Sequence, residues 1–442
     1  MIHLASILLA YADQPQAHAL HGRLMRNSYD GPLVHSVTHA LAEAKRLQPD
    51  IVLIGPYLAD GSGTDLAQAL KGDSLAADIP LFLLTEHLSD DSYRDVLGNG
   101  IDDVMMMPAD EGTLFARMRP LVRLATMRAE LHSRVVIARG LGMTMTEQLS
   151  LTDDSTPETV LALGDPGDID ALRDAMGTAI EIVHVANLYE IEHVVAERHF
   201  DAAVLFTTGS LYPYLDLCVQ IRNKPRLFNL PVMLVMDAEA DIERSLPYRQ
   251  GVSRLLYRPV RSLVMQAALK PLVRRQRLRW AMRNVLVSTL RPVSQDPLSD
   301  VYSRDFLDLY LADRTALARK QDRHLSLILF YIPSLPGLRS VFGEAAAGHL
   351  LRTLSQWING LLRAEDLCAR TGEHEFCVVL PDTPLNEAQV VMHRIAGVLT
   401  HTDFAIPDVY EVVQIWLQVG ATELGVDDTP ETLVARARMR LE

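Results

Sequence analysis

The stretch Arg363-Ala-Glu-Asp-Leu-Cys-Ala-Arg-Thr-Gly-Glu-His-Glu-Phe376, running straight into Cys377-Val-Val-Leu-Pro381, reads as a strand, a tight turn containing Gly372, and a second strand. Arg363 and Asp366 precede the turn, with five residues between Asp366 and Gly372. Neighbours along a strand alternate faces, so Glu373, His374 and Glu375 cannot all converge on one ion. Glu375 and Phe376 are expected to serve the second strand, with Phe376 in the core.

The rest of the chain sets limits on function. It has 442 residues, 48% hydrophobic and 22% charged, enough for about three domains. A formal net charge of −14 argues against a nucleic-acid partner. The arginines at 274, 275, 277, 279 and 283 are a local exception, read here as the solvated face of a linker helix. Cys218, Cys368 and Cys377 are too scattered for a disulfide framework and offer no zinc spacing, which fits a reducing cytosol. The apolar run from Ile7 to Ala10 has no basic flank, and no stretch reaches ~18 apolar residues, so neither export nor a membrane span is expected.

Going back along the chain, short apolar runs alternate with helix-length segments: Ile7 to Ala10, Ile51 to Ile54, Leu81 to Leu84 and Val104 to Met107. This pattern predicts a doubly wound parallel sheet. It repeats. Phe200 to Phe206 parallels Pro49 to Gly55, Leu230 to Met236 parallels the strand ending at Thr85, and Gly251 to Pro259 parallels Gly100 to Pro108. Both copies resemble response-regulator receiver domains, which have a flavodoxin-like α/β fold. The resemblance implies a nucleophilic Asp, an acidic pair for magnesium, a Thr and a Lys. The first copy has Gly55, Tyr11 with Ala12, Thr85 and Met107 at those positions. The second has Phe206 for the nucleophile, Met236 for the Thr and Arg258 for the Lys, and Arg258 is read as a surface or interface residue. Asp13, one residue beyond the first acidic pair, reads as an exposed turn residue, with cation binding as the lesser alternative. Aspartyl phosphorylation of the first copy is not expected.

From Asp296 onward the chain resembles the GGDEF domain of diguanylate cyclases, a nucleotidyl-cyclase-like α/β fold. Asp296 to Arg304 resembles its opening motif, Leu325 to Ile332 its first strand, Val341-Phe342-Gly343 its phosphate-side turn, Gly372 to Phe376 its signature hairpin, and Val413 to Gly420 its closing strand. The expected organisation is a degenerate receiver at 1–130, a connector at 131–157, a second degenerate receiver at 158–272, a linker helix at 273–295 and a degenerate GGDEF domain at 296–442.

The resemblance also says what has gone. The family's metal-binding acids align with Tyr331, Pro333 and His374, its second hairpin glycine with Glu373, and its guanine-reading Asn and Asp with Arg339 and Gly348. The chain ends at Glu442, before the family's phosphate-contacting Lys and Arg. Imidazole is a poor ligand for magnesium, and a tyrosine near neutral pH keeps its proton. No catalytic residue and no catalytic metal are therefore expected. Arg363 and Asp366 match the family's RxxD product-binding motif, and Arg394 aligns with its second product-binding arginine. RxxD alone carries nothing, since Arg198 to Asp201 and Arg319 to Asp322 match it as well; placement before the hairpin carries the information.

What the resemblance implies is a cytoplasmic, non-enzymatic effector that binds cyclic di-GMP through Arg363, Asp366 and Arg394. It further implies a homodimer whose receivers dock protein partners, among them proteolysis-adaptor machinery at the cell pole in cell-cycle control. Two alternatives stay open: a residual diguanylate cyclase or GTP-binding protein, and a nucleotide-independent scaffold.

Overall fold

The structure is a computed structural model and describes residues 3–142, 157–223, 227, 229–238, 243–288, 294–406 and 412–442. These fall into two compact units. One holds both receiver-like repeats, Ala5–Ala125 and the second repeat up to Ala281; the other holds the C-terminal domain from Met282 together with the chain from Thr126 onward in the helix Glu111–Gly140. That helix crosses residue 130 unbroken. Leu131, Val135 and Ala138 are buried, and Ala138 joins the core of the C-terminal unit.

In the first unit, each repeat builds a parallel sheet from near-continuous apolar runs that bury both faces. The first sheet has the order Tyr29–Asp30 with Leu33–Val34, then Ala5–Ala10, Ile51–Ile54, Leu81–Thr85 and Asp103–Met106. Its edge strand comes in two pieces around Gly31, where a Cβ would collide with the Ile7 carbonyl, so the chain can pass only as glycine. The second sheet has the order Ile180–Val185, Glu158–Leu163, Ala202–Phe206, Val232–Asp237 and Arg254–Arg258. Both follow the doubly wound 2-1-3-4-5 order. The repeat extends to the closing helices, Glu111–Gly140 and Ser262–Ser288, which carry Pro120 and Pro271 at matching positions. The linker helix expected at 273–295 is thus the continuation of the second repeat's own last helix; residues 289–293, and 143–156 of the expected connector, lie outside the described residues.

The arginines of this helix are not a solvated face. Arg275 is 7% exposed, and burial beside Arg279 pushes its guanidinium down to about 10 against the pull of Asp103 and Asp102. Arg274 pairs with Asp102 at 2.8 Å and Arg261 with Asp90 at 2.6 Å. At the centre, buried Asp103 takes Arg117 Nε at 2.9 Å from its own repeat and Arg254 at 2.5 Å from the other. The two repeats therefore face each other through their last strands and last helices. The sequence showed the cluster's charge but not which surface the helix would meet.

In the C-terminal unit the sheet is antiparallel, ordered Leu367–Gly372, Glu375–Pro381, Leu325–Tyr331 and Gln418–Glu423. The hairpin is bulged between Arg370 and Gly372, and Phe376 is wholly buried. The helices Leu335–Gly360 and Leu385–Thr400 cover one face, while Arg304–Lys320 and Pro430–Arg438 cover the other. Leu335–Gly360 bends at Gly343, where φ is 85°. The closing strand begins at Gln418, not at Val413; Val413 instead bridges to Phe404, exchanging two backbone hydrogen bonds of 2.9 Å.

Candidate functional site

Arg363 and Asp366 lie in the short turn between the helix Leu335–Gly360 and the strand Leu367–Gly372, and Arg394 comes from the helix Leu385–Thr400. The fold brings the three together. Asp366 is 6% exposed; its Oδ2 accepts the Arg363 backbone N–H at 2.8 Å, while its Oδ1 is buried with no hydrogen-bond partner. Burial, together with the Glu365 carboxylate, pushes Asp366 up to about 7 despite Arg363, its backbone N–H and Arg134. Arg394 donates to the Leu361 carbonyl at 2.9 Å, and its guanidinium is held below its ordinary value by burial and by repulsion from Arg363, against the attraction of Asp366. A buried carboxylate oxygen without a hydrogen-bond partner, beside two guanidiniums, makes a site with acceptor capacity in reserve.

Arg134 and Glu130 support this site from behind, and sequence reading passed over both. Glu130 is fully buried; it accepts Tyr310 Oη at 2.6 Å and Arg314 at 2.8 Å, and pairs with Arg134 at 3.3 Å. Arg134 lies over the Tyr302 and Tyr310 rings, 5.7 and 5.6 Å from their centroids, and donates to the Glu365 carbonyl next to Asp366. No motif marks these residues; an Arg four residues after a Glu is an ordinary helix-surface pair in sequence.

On the hairpin side, Tyr331 ends its strand opposite Glu375 and Gln418, and the Ile332 N–H donates to His374 O at 2.9 Å. Glu375 is turned to Arg438, which forks onto it at 2.9 and 2.6 Å, and to Thr371 Oγ1 at 2.7 Å. Glu373 is exposed and pairs with Arg339 at 3.4 Å, which also meets Glu344 at 2.9 Å. Among the described residues, the hairpin gathers no three His, Cys, Asp or Glu ligand atoms. Its donors do not fit a magnesium ion, which takes carboxylate oxygens in a near-octahedral set. A small cavity of about 180 Å³ lies between the helix Arg304–Lys320 and the last helix, lined by Arg304, Asp308, Thr371 and Arg438 among others.

In the receiver repeats, the phosphoacceptor position of each is filled by an aromatic ring. A Cβ on Gly55 would lie 2.5 to 2.8 Å from the Tyr11 ring, and a Cβ on Gly164 would lie 2.8 to 3.1 Å from Phe206. Arg258 is not a loose surface side chain: it pairs with Asp168 at 2.7 Å, donates to Thr207 O at 2.9 Å and lies over the Phe206 ring. Thr85 Oγ1 donates to His87 O at 2.8 Å. Asp13 is exposed, as expected of a turn residue, but it faces His18 and His35, which sequence reading did not connect to it.

Two receiver sheets in tandem and a GGDEF domain define a response-regulator architecture with a C-terminal diguanylate-cyclase-type domain. Residues 293–442 match the family "Diguanylate cyclase, GGDEF domain". Over 98% of its length, and 95% of the relative's, the chain is 26% identical to Response regulator PleD of Caulobacter vibrioides. A 119-residue segment, 26% of this chain and 51% of the relative, is 32% identical to DNA-binding response regulator MtrA of Mycolicibacterium paratuberculosis. Among solved structures, the GGDEF domain of DgcB from Caulobacter crescentus in complex with c-di-GMP is 18% identical, covering 34% of this chain and 85% of that one, with a TM-score of 0.33.

Proposed function

We propose that this chain is a non-catalytic cyclic di-GMP receptor in which Arg363, Asp366 and Arg394 bind the dinucleotide and the paired receivers serve protein partners. The carrying observation is the buried, unpartnered Oδ1 of Asp366 beside two mutually repelling arginines. An unpaired buried acceptor costs roughly 1–3 kcal/mol, and a guanine N1–H and N2–H edge would satisfy it. Bound phosphates would relieve the repulsion between Arg363 and Arg394, and an arginine fork also suits guanine O6 and N7.

On the synthetic side, Tyr331 and His374 stand where the family's metal-binding acids are expected, and Glu375 is committed to Arg438. This supports loss of GTP condensation. The pattern of losses resembles that of PopA, an effector of the same architecture, and that resemblance extends the proposal to a homodimer and to proteolysis-adaptor partners at the pole of the cytoplasm. No described helix is long and apolar enough to cross a membrane.

The test is calorimetric titration of the full chain with cyclic di-GMP, beside Arg363→Ala, and chromatography after incubation with GTP and Mg²⁺. Low-micromolar or tighter binding that the substitution abolishes, with no product formed, supports the receptor. Product formation would establish the residual cyclase instead, and absence of binding would leave a nucleotide-independent scaffold.

A further inference from the structure

Asp13, His18 and His35 converge at the carboxyl end of the first parallel sheet from three different elements. Asp13 is in the loop after the strand Ala5–Ala10, His18 is in the helix Pro15–Arg26, and His35 directly follows the strand Leu33–Val34. One ligand atom from each lies within 4.8 Å of the others. This edge of a doubly wound sheet is where such folds place their ligands.

We infer that these three residues form a binding site for a divalent transition-metal ion of the zinc class. The inference is independent of cyclic di-GMP binding.

The His35 tautomer favours it. His35 Nδ1 lies 2.9 Å from the Tyr11 carbonyl oxygen, which can only accept, so Nδ1 carries the proton and Nε2 keeps its lone pair for a metal. A ligating histidine anchored through its other nitrogen to a backbone carbonyl is the usual arrangement at metal sites. His18 Nε2 stands 2.9 Å from Asp13 Oδ1. Ligands of a tetrahedral ion with bonds near 2.0–2.1 Å stand about 3.3 Å apart, so only the wider contacts of the trio must close. Side-chain exposures of 60% for His18 and 73% for Asp13 leave room for that movement and for water on the open coordination positions.

The donor set decides the ion. Two imidazoles and one carboxylate suit zinc, cobalt or nickel, whereas magnesium and calcium take oxygen ligands. Near the place where a receiver would hold magnesium with an acidic pair, this repeat has Tyr11 and Ala12, and the only carboxylate of the trio has two imidazole partners.

Co²⁺ serves as the spectroscopic probe and Zn²⁺ as its competitor, titrated into the full chain near neutral pH. One equivalent of Co²⁺ should give visible absorption that one equivalent of Zn²⁺ abolishes. His18→Ala and Asp13→Asn, both on exposed side chains, should each weaken binding at least about tenfold, the loss that even a ligand's orienting partner brings. Zinc should raise the melting temperature of the parent chain and leave that of His18→Ala unmoved. The inference is overturned if both variants bind Co²⁺ like the parent, which would assign the metal to other histidines, or if the parent binds none.

Discussion

The Tyr11 ring lies against Gly55 so closely that a Cβ at position 55 would come within 2.5 Å of it. Gly55→Ala should therefore destabilise the receiver unit by about 1–3 kcal/mol, the usual cost of overpacking. In a Tyr11→Ala background the same change should cost less, with a coupling of at least about 0.5 kcal/mol. Denaturant unfolding of the four proteins of the cycle measures it; strict additivity would mean that the ring does not oppose the Cβ.

Glu130 is the only carboxylate that pairs, among the described contacts, with both Arg134 and Arg314. Glu130→Ala removes the buried counter-ion of Arg134 and leaves Arg314 to its contact with Asp313 at 3.3 Å, and breaking such a buried pair costs about 3–5 kcal/mol. The thermal midpoint of the C-terminal unit should fall accordingly. A surface-like change below about 1 kcal/mol would show that water replaces the carboxylate.

Asp103 holds buried Arg117 and Arg254, one from each receiver repeat. Asp103→Ala should destabilise the unit more than Arg254→Ala, because the first strands two buried cations and the second leaves the Asp103–Arg117 pair in place. Comparing urea unfolding midpoints of the two variants decides the order, and a reversed order would contradict it.

Asp366, raised to about 7, gives a pH dependence with a definite sign. Its folded value stands above the unfolded one, so its favourable contribution to stability is present at low pH and is lost as pH rises through about 7. Ligand binding runs the other way. A guanine edge needs the ionised carboxylate, so cyclic di-GMP affinity should fall as pH drops from 8 to 6, by at most about tenfold per unit below the folded value. Asp366→Asn should bind more weakly and flatten the profile. A profile in the parent that is flat across this range would separate Asp366 from the ligand.

Much of this is legible in the sequence. The apolar runs at Ile51 to Ile54 and at Ala202 to Phe206 became wholly buried strands because four or five unbroken apolar residues fit only a sheet covered on both faces. The placement of Arg363 and Asp366 before the hairpin led to a common location with Arg394 because chain spacing fixes where a turn meets a sheet edge. Other features could not be read in one dimension. Whether Arg275 met water or another repeat depended on packing between segments far apart in sequence. No motif marks Glu130 and Arg134, whose burial depends on packing against the helix that carries Tyr310. The match between a ring at 11 and a missing side chain at 55 is a complementarity of volumes, visible as a pair only after the strands are aligned. The closing strand shifted to Gln418 because the residues nearer Val413 are drawn into a bridge with Phe404.

The two receiver repeats face each other through Asp103–Arg254, Asp102–Arg274 and Asp90–Arg261 within a single chain. Association of this kind is governed by effective concentration rather than by the amount of protein present. Dilution that would dissolve a homodimer leaves this pairing intact, and a free receiver competing for the same surface must overcome a partner that is always tethered nearby.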